Sequence, residues 1–175
     1  MGSEVCRVFL IGGRASGKST VGRALAARLG WDFADTDAMV TRRAGCDIAT
    51  LVAERGWDAF RDMESDALRD AAARERVVVA TGGGMVLRAE NRALLREAGV
   101  TVFLSLPVEV VAARLARNPE HGQRPSLTGK AVADEVADVM RERAPLYAEA
   151  ARHVVRGDAP VACIVEDITA LLAFS

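Results

Sequence analysis

Five apolar runs, separated by stretches in which apolar residues recur at helical spacing, predict strands alternating with helices along this chain. The first run covers residues 5–11. After it, Val21, Leu25 and Leu29 recur along one helical face, with Gly30 as the stop. Residues 31–35 read as a short second strand, and residues 37–73 as helical, broken near Gly45 and Gly56, with Asp47 placed to cap the segment that begins at Ile48. Residues 76–80 and Val100–Ser105 are rich in β-branched residues, as parallel strands buried on both faces are. The intervening helix, residues 88–98, stops at Gly99. A helix over 107–116 follows, then one starting near Val132 that Pro145 is expected to kink or end close to Arg143. The strand His153–Arg156 and an amphipathic helix built on Val161, Ile164, Val165, Ile168, Leu171 and Leu172 complete the pattern. Alternation of this kind predicts an α/β fold, a three-layer α/β/α sandwich on a five-stranded parallel sheet.

Two segments exceed what simple connections need. Residues 37–73 are too long for one crossover helix, so part of them is expected to project as a helical substrate-binding cap. Residues 117–131 are polar and punctuated by Gly and Pro, the composition of a mobile lid. With 175 residues, half of them apolar, a single domain over residues 1–175 is expected to hold both.

Between the first strand and the first helix stand Gly12, Gly13, Arg14, Ala15, Ser16, Gly17, Lys18, Ser19 and Thr20, matching G-x-x-x-x-G-K-[ST]. A loop of this kind turns successive backbone N–H groups towards phosphate oxygens, and the helix beginning near Gly17 adds its positive end. Lys18 supplies a mobile cation for the β- and γ-phosphates. Ser19 offers a hydroxyl to Mg²⁺, a hard ion that keeps several waters and takes one or two protein oxygens. The second strand ends in Asp35-Thr36-Asp37, two carboxylates at a carboxyl edge where open parallel sheets bind ligands. One of them is also a ready helix cap. With no other acid ending a hydrophobic strand, Asp35 is the candidate for steadying Mg²⁺. The third strand ends in Thr81-Gly82-Gly83-Gly84, where a backbone is expected to approach a ligand closely and donate N–H groups. Arg61 and Glu64, three apart, share a helical face.

Charge and cysteine content narrow the partners. A formal net charge of −1 gives no global field for nucleic acid or an anionic membrane, and the scattered aromatics form no stacking stripe. Cys6, Cys46 and Cys163 form no C-x-x-C pair and read as reduced, mostly buried thiols. No apolar run reaches a membrane-spanning length. The expectation is a cytoplasmic protein, a monomer, that binds neither nucleic acid nor membrane.

An acid that can orient a hydroxyl, beside arginines that can fork onto an anion, describes phosphoryl transfer to a small anionic alcohol. On the residues alone, a carboxylated polyol such as gluconate and a nucleoside monophosphate both remain open as acceptor, and so does a nucleotide-binding regulatory domain without transfer. The combination of G-x-x-x-x-G-K-S-T, Asp35-Thr36-Asp37, Phe60-Arg61-x-x-Glu64, Thr81-Gly82-Gly83-Gly84, Arg124-Pro125 and Arg143-x-Pro145-x-Tyr147 resembles the shikimate kinase family over nearly the whole chain. That resemblance implies an enzyme that uses ATP and Mg²⁺ to phosphorylate the 3-hydroxyl of shikimate, in chorismate biosynthesis. It implies that Asp37 binds the ring hydroxyls and orients or deprotonates the 3-hydroxyl, with Lys18 and Arg124 as its catalytic companions. Arg61 and Arg143 would clamp the substrate carboxylate beside Gly82, Gly83 and Gly84, with Glu64 holding Arg61. Ser19 and Asp35 would serve the metal. ATP would lie on the loop from Gly12 to Thr20, with Arg114 and residues 156–160 bordering its adenine and Arg124 reaching it from the lid.

Overall fold

The computed structural model describes residues 6–117 and 132–173. Its strands are β1 (Arg7–Ile11), β2 (Asp32–Asp35), β3 (Val77–Ala80), β4 (Val100–Ser105) and β5 (His153–Arg156). They form one sheet in the order β2-β3-β1-β4-β5, and each recorded pairing is parallel. In β1, the central strand, Phe9 sits opposite Val79 on one side and Thr101 on the other.

Alternation along β1 builds two cores. Val8 and Leu10 join Val21, Leu25 and Ala26 of α1 (Lys18–Leu29) and Ile164, Val165 and Ile168 of α7 (Val161–Leu172) on one face. Phe9 and Ile11 point to the other, against Leu68 and Ala71 of α3 (Ile48–Ala72), Leu95 of α4 (Ala89–Ala98) and Tyr147 and Ala150 of α6 (Val132–Ala150). Period-two side chains on a strand with helices on both faces give the expected three layers. Two smaller clusters lie apart. Val40 of α2 (Thr36–Ala44) packs on Leu51, Val52, Phe60 and Ala67 of α3, and Leu106 packs on Val111 and Leu115 of α5 (Val108–Arg117).

The local signals act as their chemistry predicts. Asp47 caps α3 by accepting from the Thr50 N–H at 2.7 Å. Within α3 the helix breaks at Gly56 (φ 82°, ψ 171°), a conformation that glycine alone adopts without strain, so the segment carrying Arg61 sets off in a new direction.

Two expectations need correction. Of the two outcomes expected at Pro145, the stop does not occur, and α6 runs through it to Ala150. A proline deprives only the Arg141 carbonyl of its helical donor, and packing of Tyr147 and Ala150 against the sheet holds the turn beyond it. The cysteines are not mostly buried: Cys6 and Cys46 are partly exposed and Cys163 is exposed, a small apolar residue on the outer side of α7. Residues 118–131, which hold Arg124 and nearly all of the expected lid, lie outside the described residues.

Strand order places the site. After β1 the chain enters α1 on one face, whereas after β3 it enters α4 on the other, so the loops leaving these neighbouring strands diverge. Such a divergence opens a crevice at the carboxyl ends of the strands, here between the loop at 12–17 and the triglycine turn.

Candidate active site

A cleft of ≈ 240 Å³ opens at that position, lined by residues 14–20, Asp35, Asp37, Thr81 and Gly83. One wall is the loop itself. Its backbone takes positive φ at Gly12 (150°), Ala15 (54°) and Gly17 (86°), which curls the chain into a concave nest ahead of α1. The Lys18 ammonium donates to the carbonyls of Gly12 (2.9 Å) and Gly13 (2.6 Å) and to Ser16 Oγ (3.0 Å), while Ser16 Oγ donates to the Gly13 carbonyl at 2.8 Å. These short tethers keep the lysine at the loop's mouth.

Asp35 caps α2 and also reaches the phosphate loop. Its Oδ1 accepts from the N–H groups of Asp37 (3.0 Å) and Ala38 (3.2 Å), capping α2, and its Oδ2 accepts from the Ser19 hydroxyl at 2.6 Å. A carboxylate and a hydroxyl oxygen thus meet side by side on the cleft wall, hard oxygen ligands of the kind Mg²⁺ takes. No cage of three or more His, Cys, Asp or Glu side chains exists among the described residues. Asp37, in the first turn of α2, lines the same cleft.

The opposite wall is the turn after β3, and its peptide groups are held from several sides. The Gly82 N–H donates to Thr36 Oγ1 at 3.0 Å, and the Gly82 carbonyl accepts from the Met85 N–H at 3.1 Å. The Gly83 carbonyl accepts from Arg143 Nη1 (3.1 Å) and the Tyr147 phenol (2.6 Å), both reaching in from α6. From the other side, the Arg61 guanidinium lies directly against Gly84. A Cβ at Gly84 would stand 2.5 Å from Arg61 Cζ, so only glycine lets the arginine approach. Arg61 is in turn ion-paired with Glu64, whose side chain is 1% exposed, and it lies 5.4 Å and 5.2 Å from the ring centroids of Trp57 and Phe60. Burying a carboxylate costs several kcal/mol unless a cation accompanies it, so Glu64 holds Arg61 in place.

Two arginines, from α3 and α6, therefore converge on one glycine turn facing a phosphate loop. The shikimate kinase family model matches residues 14–173. The chain belongs to the shikimate kinase family. It is 56% identical over 167 residues to the shikimate kinase of Oleidesulfovibrio alaskensis, covering 95% of this chain and 97% of that one. Among solved structures it superposes on shikimate kinase from Acinetobacter baumannii in complex with shikimate, with a TM-score of 0.90 at 32% identity, covering 97% of this chain and 94% of that one. A gluconokinase from Sinorhizobium meliloti, with a TM-score of 0.61 at 24% identity over 98% of this chain and 93% of that one, shares the fold alone. The expected ATP-dependent shikimate kinase activity is thereby borne out, and gluconate gains no support from that likeness.

Within this shikimate kinase fold, most residues singled out from the sequence gather at the cleft, and two of them carry bonds that the sequence did not announce. The Gly82 N–H is committed to Thr36, which leaves Gly83 and Gly84 as the turn's remaining donors. Arg114 bridges the carbonyls of Ala15 (3.0 Å) and Gly157 (3.2 Å), joining the loop to the turn before α7. In that turn, hydrogen bonding from Arg156 holds the Asp158 carboxyl below the usual range. Arg124 lies outside the described residues. The role of Thr36 was missed, because nothing in a sequence tells which hydroxyl meets which distant backbone group. Tyr147 was legible only through the Arg143-x-Pro145-x-Tyr147 spacing.

Proposed function

We propose that this chain phosphorylates shikimate by holding ATP on the loop from Gly12 to Thr20 and the acceptor between Asp37 and the triglycine turn. The observation that carries the reading is the convergence of Arg61 and Arg143 on Gly83 and Gly84, across the cleft from Lys18. A carboxylate placed there meets two guanidiniums and the Gly83 N–H. The 3-hydroxyl at the far end of the ring then comes within reach of Asp37, which takes its proton or orients it. The hydroxyl oxygen forms a bond to the γ-phosphorus as the bond to the β-phosphate oxygen breaks, and ADP leaves. Lys18, released from the loop carbonyls, follows the charge that spreads over the transferring phosphoryl group. Arg124 is assigned the same charge-neutralising task from the lid.

Ser19 and Asp35 are the residues that would hold Mg²⁺, which when bound neutralises phosphate charge; their adjoining oxygens fit that ion. Arg114 is assigned to the base end of the nucleotide, a reading supported by its bond to the Gly157 carbonyl. We further take residues 1–175 to be one domain, with 37–73 and 117–131 as its cap and lid, acting as a cytoplasmic monomer. Among the described residues, no helix is long and apolar enough to cross a membrane.

The test is ADP release, followed with a coupled assay against shikimate, gluconate and nucleoside monophosphates. Release with shikimate alone is expected. If another acceptor gives ADP and shikimate gives only the background rate, the reading is wrong. In the same assay Asp37→Asn should lower kcat by about 10²-fold or more with a near-parental KM for ATP.

A further inference from the structure

The acceptor site proposed above has two ends, and they sit on different strands. Asp37 follows β2, while Gly83 and Gly84, with Arg61 and Arg143 against them, follow β3. One small acceptor can be gripped by both only if the ends of β2 and β3 keep a fixed spacing.

The β2–β3 ladder stops short of doing this. Its last pair is Asp35 with Ala80, and beyond it one chain turns into α2 and the other into the glycine turn. The bond that spans the gap is the one from the Gly82 N–H to Thr36 Oγ1, at 3.0 Å, and Thr36 is fully buried. On either side of Thr36 stand the acid that takes the Ser19 hydroxyl and the acid that lines the cleft. The rest of the turn is fixed from elsewhere. Met85 holds the Gly82 carbonyl, and Arg143 and Tyr147 hold the Gly83 carbonyl. Thr81 is tied to β1, donating its N–H (3.1 Å) and its hydroxyl (3.0 Å) to the Leu10 carbonyl. The Gly82 amide links the turn to the acid-bearing segment, and a hydroxyl is the group that receives it.

We infer that Thr36 is a positioning residue: its hydroxyl sets the spacing between Asp37 and the triglycine turn and so governs use of the acceptor, not binding of the nucleotide. The inference rests on the reading of Asp37 and the turn as two ends of one acceptor site. Valine has the shape of threonine without the acceptor oxygen, so Thr36→Val leaves a buried N–H unpaired and the turn moves to find a partner. A displacement of about 1 Å in a positioned group costs on the order of 100-fold.

The experiment compares Thr36→Val and Thr36→Ser with the parent and with Asp37→Asn, in the coupled ADP assay, well below the lowest Tm of the series. For Thr36→Val, kcat/KM for shikimate is expected to fall by roughly tenfold or more, with KM for ATP within about twofold, and Thr36→Ser to recover most of the loss. Should Thr36→Val not accumulate as folded protein, Thr36→Ala, which leaves room for water at the Gly82 N–H, is read in the same way. A folded variant without the hydroxyl that matches the parent on shikimate overturns the inference, as does a KM for ATP that rises in step with the shikimate loss. Where the Thr36 variants give such a result while Asp37→Asn is inactive, the Asp37 reading stands and only the role of Thr36 falls. If Asp37→Asn turns over near the parental rate, the Asp37 reading falls and takes this inference with it.

Discussion

Gly84→Ala tests the arginine clamp by adding a single methyl group. Gly84 has φ −94° and ψ 5°, a backbone open to alanine, so the substitution strains nothing in the main chain. The new Cβ would overlap Arg61 Nη1 and stand 2.5 Å from Cζ and 2.6 Å from Nη2, and ordinary contact begins at 3.4 Å, so the guanidinium must retreat by at least about 0.9 Å. It has little room to do so, being ion-paired to buried Glu64 and packed on Trp57 and Phe60. Misplacing a substrate-positioning group by this much costs on the order of 100-fold, or ~2.7 kcal/mol of transition-state stabilisation. Steady-state kinetics with shikimate varied at saturating ATP should show that loss in kcat/KM, mainly through KM, with KM for ATP unchanged. A Gly84→Ala enzyme with parental KM for shikimate refutes the placement of Arg61 on the acceptor.

Asp35→Asn keeps a side chain that caps α2 but removes the charge beside Ser19, so the Mg²⁺ concentration for half-maximal rate should rise about tenfold while Tm changes little. Arg114→Ala loses the bridge between Ala15 and Gly157; KM for ATP should rise roughly fivefold and KM for shikimate stay put, as measured by the same assay. Glu149 accepts hydrogen bonds from Arg92 and Arg96, which hold its carboxyl below the ordinary 4.5. A depressed folded-state value means that this stabilisation is complete above pH ~4.5 and fades as pH falls through the lower value. The Tm advantage of the parent over Glu149→Gln should therefore be greatest near neutrality and vanish under acid, and an advantage independent of pH would exclude the pair as its source.

Much of this protein was legible in one dimension because the interactions concerned are local. Strand and helix order follows from side-chain period, the cap at Asp47 lies three residues from its donor, and the phosphate loop is a continuous run whose backbone geometry is written in its glycines. The acids at 35 and 37 and the triglycine turn could be ranked as site parts from their place at strand ends. Other features came from contacts between residues far apart in the chain. That Pro145 is carried within α6 depends on the packing of Tyr147 and Ala150, which outweighs one missing backbone bond. That Gly84 must be glycine depends on an arginine 23 positions earlier, and that Thr36 matters depends on a glycine 46 positions later. Sequence thus determined which chemical groups this chain brings to phosphoryl transfer and in what order along the fold. Their spacing was decided by the sheet, because only the pairing of β1 with β3, and of β3 with β2, brings the loop, the acids and the turn to one edge.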